Sequence, residues 1–368
     1  MNKSIHAIEG DIRSGSVVTV KAYDGRFLGY GFLNTSSKIF IRMLTDEEDV
    51  TIDKTFFEKR IIKADRTRTA LGFSDAYRVV FGEADNLPGL TVDKYGDILV
   101  LQIVTLGFDL IKDMIVDILV RHFNPTGIYH RADIHARKQE GLDDTSSVLY
   151  GTVPEMVRCR IGDIMMDIDV RGGQKTGTFL DQSRNQMALK PYVKDRSVLD
   201  CFSHIGGFGL HAALYGAKDV TCLDISGHAV ESIRHHASLN GLNQVNAVKA
   251  NVFDALRDYR TENRTYDVII LDPPAFAKKK SDLENALRGY KDINMNALSI
   301  IRDGGILVTC SCSSHVTLPL FLDMIADAAK DAQKKVRILD VRVQSHDHAP
   351  LLVSTGSLYL KCVYLLVG

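Results

Sequence analysis

The chain has 368 residues, 45% hydrophobic and 25% charged, a globular composition that excludes disorder and low complexity. That length exceeds what one compact core fills comfortably and points to two or three domains. Lysine plus arginine (45) against aspartate plus glutamate (46) leave −1, which on its face speaks against nucleic acid, and no stretch reaches the roughly 18 uninterrupted apolar residues of a membrane helix.

Residues 1–73 read as short β segments, Ser16–Ala22, Arg26–Phe32 and Ile39–Met43, parted by turns such as Tyr23-Asp24-Gly25. A small barrel or sandwich fits. The N-terminus lacks a basic stretch followed by an apolar one, so no secretory signal is visible and a cytoplasmic protein is expected. The tail of this segment carries Lys54, Lys59, Arg60, Lys63, Arg66 and Arg68 against only Glu58 and Asp65. Residues 74–170 read as an α+β unit with strands at Tyr77–Phe81, Ile98–Val104 and Ile164–Val170 and an amphipathic run at Leu110–His122. From 171 to 368, apolar strands at Ser197–Phe202, Asp219–Ile225, Val245–Lys249, Tyr266–Leu271 and Ile306–Cys310 alternate with helical stretches, which predicts a mostly parallel sheet covered on both faces. The last strand, Ser357–Val367, is placed antiparallel to a strand at Val336–Val343. Split this way, the charge becomes +2, −7 and +4, so the acidity is concentrated in the middle segment. Whole-chain charge is therefore the wrong quantity on which to exclude nucleic acid.

Six cysteines, at 159, 201, 222, 310, 312 and 362, form no CxxC pair, which argues against a disulfide framework or a structural zinc site, and no metal is expected. Candidate chemistry gathers at the strand ends of the last segment. Asp200-Cys201-Phe202-Ser203-His204-Ile205-Gly206-Gly207-Phe208-Gly209 lies where a strand gives way to a helix, and its spacing is not the GxGxxG of a pyrophosphate cradle. Packing and ligand approach explain such a turn equally well. The second strand ends in Asp224, which can accept two ribose hydroxyls or serve a helix cap, and the third ends at Asn251 and Phe253. Taken together at successive strand ends, these elements favour a nucleoside-bearing ligand in the class I methyltransferase order, with a nicotinamide dehydrogenase as the rival. The fourth strand runs into Asp272-Pro273-Pro274-Ala275-Phe276, a stiff projecting loop able to wall a planar base. Lys278, Lys279, Lys280, Arg288 and Lys291 follow and could hold phosphates. Cys310 and Cys312 share a face if the fifth strand includes both; on pattern alone, packing is the better reading of either.

Several stretches resemble the bacterial large-subunit ribosomal RNA cytosine-C5 methyltransferases that carry an N-terminal PUA domain. They are Gly173-Gln174-Lys175-Thr176-Gly177-Thr178-Phe179-Leu180-Asp181-Gln182, the Asp200–Gly209 turn, Asp272-Pro273-Pro274, Arg288-Gly289-Tyr290-Lys291-Asp292-Ile293-Asn294, Ser311-Cys312-Ser313 and, further upstream, Gly82–Leu90. The resemblance covers nearly the whole chain. It implies a PUA-like RNA-binding domain over 1–73, a central α+β domain over 74–170 and a Rossmann-like methyltransferase domain over 171–368 that binds S-adenosylmethionine. It implies that Lys175, Thr176, Phe179, Asp181 and Gln182 flank the methionine end of that cofactor, that Asp200, Phe202, Gly206 and Gly207 contact its body, that Asp224 holds the ribose, and that Asn251 and Phe253 hold the adenine. Cys312 aligns with the family's nucleophile, which would attack C6 of cytosine, while Asp272 addresses the N3/N4 edge. Pro273, Pro274, Lys278, Arg288 and Lys291 would bind the RNA. Two departures stand out: Asn251 replaces a common aspartate, and Ile5–Ile12 lacks the aromatic-rich opening of a PUA domain. The expected partner is large-subunit ribosomal RNA, with no membrane, and a homodimer is left open. The rival activities are methylation of adenine N6 or guanine N2, for which Cys312 would be dispensable, and a non-catalytic RNA-binding protein.

Overall fold

The computed structural model describes residues 5–277, 279–353 and 357–368. The chain divides into two compact units, one comprising Met1–Arg160, Asp167–Leu180 and His346–Leu351, the other Ile161–Met166, Asp181–Ser345 and Leu352–Gly368.

The first unit opens with β1 (Val17–Lys21), β2 (Phe27–Leu33) and β3 (Ile41–Thr45), an antiparallel sheet in that order and within two residues of the β segments read from sequence. Then comes α1 (Lys54–Ala70), which the sequence reading registered only as a run of cations. Asp53 caps it by accepting the Phe56 N–H at 2.9 Å. Phe57, Ile61, Ala64 and Arg68, spaced 4, 3 and 4 apart, form its buried face. A second sheet follows: β4 (Ala76–Phe81), β5 (Leu90–Tyr95), β6 (Ile98–Ile103), α2 (Leu106–Leu110), α3 (Lys112–Phe123), β7 (Gly127–His130), α4 (His135–Gln139) and β8 (Ser147–Gly151). Its order is β4-β5-β6-β7-β8, with β6 and β7 parallel and the other pairs antiparallel. One apolar cluster joins Phe32 and Leu44 of the first sheet, Phe57 and Ile61 of α1, Val92 and Leu101 of the second sheet and Leu119 of α3. That cluster spans the boundary read at 73/74. β9 (Val157–Ile161) and β10 (Ile164–Ile168) form a two-stranded sheet.

The second unit contains α5 (Ser183–Met187), β11 (Ser197–Cys201), α6 (Gly207–Leu214), β12 (Asp219–Asp224), α7 (Gly227–Leu239), β13 (Val245–Lys249), α8 (Val252–Thr261), β14 (Tyr266–Leu271), α9 (Leu283–Ile300), β15 (Ile301–Ser311), α10 (Leu318–Asp331), β16 (Val336–Arg342) and β17 (Lys361–Val367). The sheet order is β13-β12-β11-β14-β15-β17-β16. β11 to β15 pair in parallel, and β17 runs antiparallel to β16, as the sequence reading of the last strand expects. It also pairs antiparallel with β15, which that reading did not foresee, and it begins at Lys361 rather than Ser357. This is a Rossmann-like α/β sheet. The central strands are mostly apolar because helices cover both faces, and Leu199, Leu256, Ile269, Ile293, Leu307 and Phe321 share one core cluster. The strand order reverses between β11 and β14, and the crevice beyond the carboxyl ends of such strands is where ligands bind in sheets of this kind. Among the described residues, no helix is long and apolar enough to cross a membrane.

Candidate active site

The β11–α6 turn is strained. Phe202 (φ 61°) and His204 (φ 50°) hold left-handed backbone conformations that side chains disfavour, and Gly206 (φ 95°) takes a third. A Cβ on Gly207 would collide with the Gln186 amide, and one on Gly209 with the Cys222 sulfur. At Gly209 the obstacle is the buried sheet residue Cys222, so packing requires glycine there, whereas at Gly207 it is the end of a glutamine side chain that can move aside. Of the two explanations of the turn left level in the sequence, packing accounts for Gly209.

The turn is held from below by carboxylates. One oxygen of Asp200, 1% exposed, accepts the Gly209 N–H at 2.9 Å, and the other has no hydrogen-bond partner. Burial pushes the Asp200 carboxyl up to about 7; the Gly209 N–H and Ser203 hydroxyl oppose this, and the charges of Asp272 and Asp224 add to it. Asp200 therefore feels both other carboxylates across the strand ends. Asp224 accepts the His204 N–H and the Ser226 N–H, each at 2.9 Å, tying two loops together. The capping role that the sequence left open for Asp224 falls instead to Ser226, whose hydroxyl accepts from Ala229. Asn251, exposed, caps α8 by accepting the Phe253 N–H at 3.0 Å. Phe202, Phe253 and Phe276 pack against one another, with ring centroids 6.0–6.5 Å apart. Phe276 was not among the residues singled out for the site. Its signal was its place directly after the Asp272-Pro273-Pro274 stretch.

The ends of β14 and β15, adjacent parallel strands, carry the reactive candidates. Asp272 is held by a relay: Arg342 Nε donates to Asn185 (3.1 Å), Asn185 donates to Gln182 Oε1 (2.7 Å), and Gln182 Nε2 donates to Asp272 Oδ1 (2.8 Å). Asp181 accepts from the Tyr359 hydroxyl at 2.5 Å. Neither Asn185 nor Arg342 carried a signal in the sequence, since each lies far along the chain from Asp272. The two cysteines separate at the strand end. Cys310 lies inside β15, opposite Cys362 and fully buried, and burial drives its thiol well above the ordinary value. Cys312 follows the last strand residue and is partly exposed, whereas the other five cysteines are buried. Its neighbours are clamped. Ser311 Oγ donates to the Tyr290 hydroxyl (3.0 Å), Ser313 Oγ lies 3.1 Å from that hydroxyl, and Ser313 Oγ also accepts the Ala277 N–H (3.2 Å), which links the Pro-Pro loop to the Ser-Cys-Ser segment.

The remaining residues are placed as follows. Lys175, Thr176 and Phe179 belong to the first unit. There Thr176 is buried and donates to Asp93 (2.5 Å) with the Tyr95 hydroxyl 3.0 Å away, while the Lys175 ammonium sits 4.6 Å over the Phe179 ring. Pro273 is buried, Pro274 is exposed, and Lys278 lies outside the described residues. Arg288 contacts Asn285 and Glu284, and Lys291 pairs with Asp331 at 2.8 Å; these are surface contacts that a phosphate can displace. The basic run 54–68 splits in two. Lys54 pairs with Asp117, Arg60 donates to the Leu44 and Asn86 carbonyls, and Arg68 grips Asp85 with two hydrogen bonds. Lys59, Lys63 and Arg66 instead line, with Ile62 and Thr67, an open groove of about 690 Å³ on α1. No group of three or more His, Cys, Asp or Glu able to hold a metal occurs among the described residues.

With this geometry in view, two curated relatives decide the family. "Ribosomal RNA large subunit methyltransferase I" of Shewanella amazonensis is 40% identical over 98% of this chain and 92% of its own length, and the protein of the same name from Aeromonas salmonicida matches equally. The chain belongs to the ribosomal RNA large subunit methyltransferase I family. Within that family assignment, residues 2–46 match the description "PUA-like domain" and residues 180–335 match "Conserved hypothetical protein 95". A solved structure, SMU.776, described as "a putative methyltransferase complexed with SAH", superposes with a TM-score of 0.80 at 25% identity over 96% of this chain and 92% of that one. The expected Rossmann-like fold with a PUA-like N-terminus is thereby established.

Proposed function

We propose that the protein methylates large-subunit ribosomal RNA using S-adenosylmethionine, and that the methylated atom is C5 of a cytosine. S-adenosylmethionine, when bound, supplies the electrophilic methyl group that C5 accepts. Family membership and the SAH-bound relative support the cofactor, and the site fits it. The unpartnered Asp200 oxygen offers a buried acceptor, and the charges of Asp272 and Asp224 acting on Asp200 favour a ligand that brings positive charge. Asp200, Asp224 and the Gly206-Gly207 backbone would hold it, with Phe202 and Phe253 against its flat portion.

The observation that carries the choice of C5 is the contrast at the end of β15: Cys312 is presented beyond the strand on a clamped segment, while Cys310 is sealed in the sheet. In the proposed reaction the Cys312 sulfur adds to C6, forming a C–S bond and pushing electron density onto C5. Asp272, fixed through Gln182, binds the N3/N4 edge and stabilises the charge that builds on the ring. After C5 is methylated its proton leaves to a base, the C5–C6 double bond re-forms, and the C–S bond breaks to release the thiolate. The target base must leave its stack to meet this edge. The Phe276 ring, 4.6 Å from that of Tyr290, forms the aromatic wall beside it.

The test is mass analysis of nucleosides from large-subunit RNA of a deletion strain after incubation with the protein and cofactor. The expected product is 5-methylcytidine. N6-methyladenosine or N2-methylguanosine as product would overturn the assignment to C5, and no product together with no thermal shift by cofactor would favour the non-catalytic RNA binder.

A further inference from the structure

Beside Cys312 lies a residue that nothing in the sequence marked. Lys361 opens β17, opposite Ser311 in the antiparallel register with β15. It is 5% exposed, an unusual place for an ammonium. Its Nζ donates to the carbonyl of Ser313 at 2.7 Å and to that of Tyr359 at 2.8 Å. A lysine ammonium has three N–H donors, so two carbonyl dipoles leave one donor over and supply no counter-charge. The amino group is thus pinned to the residue that follows Cys312.

We infer that Lys361 is a positioning residue for Cys312, its ammonium fixed beside the sulfur so that the thiolate, the attacking form, is favoured. This rests on the reading of Cys312 as nucleophile. Burial lowers the Lys361 amino group to about 8, and the charge of Cys312 is what opposes that fall. The interaction is reciprocal: whatever a thiolate does to keep Lys361 charged, Lys361 does to keep Cys312 ionised. The other titratable groups around the pair are accounted for. Tyr290, from α9, is bound to Ser311 and Ser313 and is pushed up by burial, so it stays neutral. The Tyr359 hydroxyl is spent on Asp181, and Asp272, at the end of the neighbouring strand β14, is bound by Gln182.

The experiment follows alkylation of Cys312 by iodoacetamide in the full-length protein across pH, read by peptide mass spectrometry, with no RNA or cofactor present. Lys361→Gln keeps a donor for the carbonyls and loses the charge; Lys361→Arg keeps the charge. We expect wild type to show a midpoint below the ordinary thiol value of about 8.5. Lys361→Gln should react roughly tenfold more slowly at pH 7 with its midpoint moved up, and Lys361→Arg should stay near wild type. An unchanged profile in a Lys361→Gln protein that melts like wild type would overturn the inference. Should Lys361→Gln fail to fold, the wild-type midpoint decides alone, and a value at or above 8.5 overturns it. This readout fails separately from the function itself. A wild-type RNA adduct with a flat Lys361 response removes only Lys361, and a Lys361-dependent thiol in a protein that yields no methylcytidine removes only the choice of base.

Discussion

Asp267, second residue of β14, and Asp200, fourth residue of β11, are carboxylates of one sheet held under opposite conditions. Asp267 accepts the Ser197 N–H, the Ser197 hydroxyl and Arg302, each at 2.8 Å. Burial alone would raise it, but those three donors outweigh burial and bring its carboxyl to about 2. Asp200 has one donor on one oxygen and a bare second oxygen, and stands at about 7. At the start of β14 the Asp267 carboxylate is fully bound within the protein. Near the end of β11 Asp200 keeps one oxygen without a partner, the strained Phe202 and His204 follow it, and at the end of β15 Cys312 is partly exposed. An unfinished edge is what a ligand requires, and a finished edge is what the fold requires.

The sharpest way to break this contrast is the cysteine pair. Cys312→Ala should lower methyl transfer by roughly 10⁴-fold or more with an unchanged melting curve. Cys310→Ala should keep activity within about threefold and lose about 1 kcal/mol of stability by opening a small cavity. Radiolabelled methyl transfer and thermal melts of both variants decide it, and reversed outcomes would dissolve the distinction between edge and interior. Next in size is the aspartate pair on β14. Asp272→Asn should cost roughly 10²- to 10³-fold in activity, and Gln182→Ala about tenfold through Asp272, both with native melts. Asp267→Asn should leave activity intact and cost about 1–3 kcal/mol.

pH sharpens the same comparison because the two shifts have opposite signs. Asp267 titrates lower in the fold than in the unfolded chain, so its contribution is present above about pH 4 and is lost as pH falls through about 2. Asp200 titrates higher in the fold, so its contribution is present below about pH 4 and is lost as pH rises through about 7. Denaturation of each asparagine variant against wild type should show Asp200→Asn gaining relative stability from pH 4 to 7, and the Asp267→Asn deficit shrinking towards pH 2. The smallest effect expected is on RNA affinity. Replacing Lys59, Lys63 and Arg66 together by alanine should reduce the slope of log affinity against log salt by about 2, at roughly 0.7 per single-strand phosphate contact. Arg68→Ala, which breaks the Asp85 pair, should instead show as lost stability.

Much of this molecule was legible in its sequence where signals are local. Apolar runs bounded by turns gave four of the five parallel strands to within one residue, because burial on both faces keeps them mostly apolar. β15 begins five residues before the expected Ile306, since its opening Arg302-Asp303-Gly304-Gly305 reads as a turn. The polar residues Asp200, Asp224, Asn251 and Asp272 stood out for the same reason: each lies within two residues of the end of such a run. What escaped was long-range or two-sided. α1 was hidden because its buried positions, Phe57, Ile61 and Ala64, are interleaved with six cations. Lys361 and Arg342 gain their meaning only from β15 and α5, which the chain brings beside them after long excursions. Asn251 illustrates the remaining ambiguity, since a residue at a strand end that opens a helix is in position both to cap and to bind.

The most direct measurement is covalent capture. The protein is incubated with cofactor and large-subunit ribosomal RNA containing 5-azacytidine, whose ring nitrogen at position 5 has no proton to lose, so the C–S bond cannot be released. Wild type and Cys310→Ala should give a complex that survives denaturation, and Cys312→Ala should give none. A complex that persists in Cys312→Ala, or disappears in Cys310→Ala, would contradict the assignment of the nucleophile and with it the account of this site.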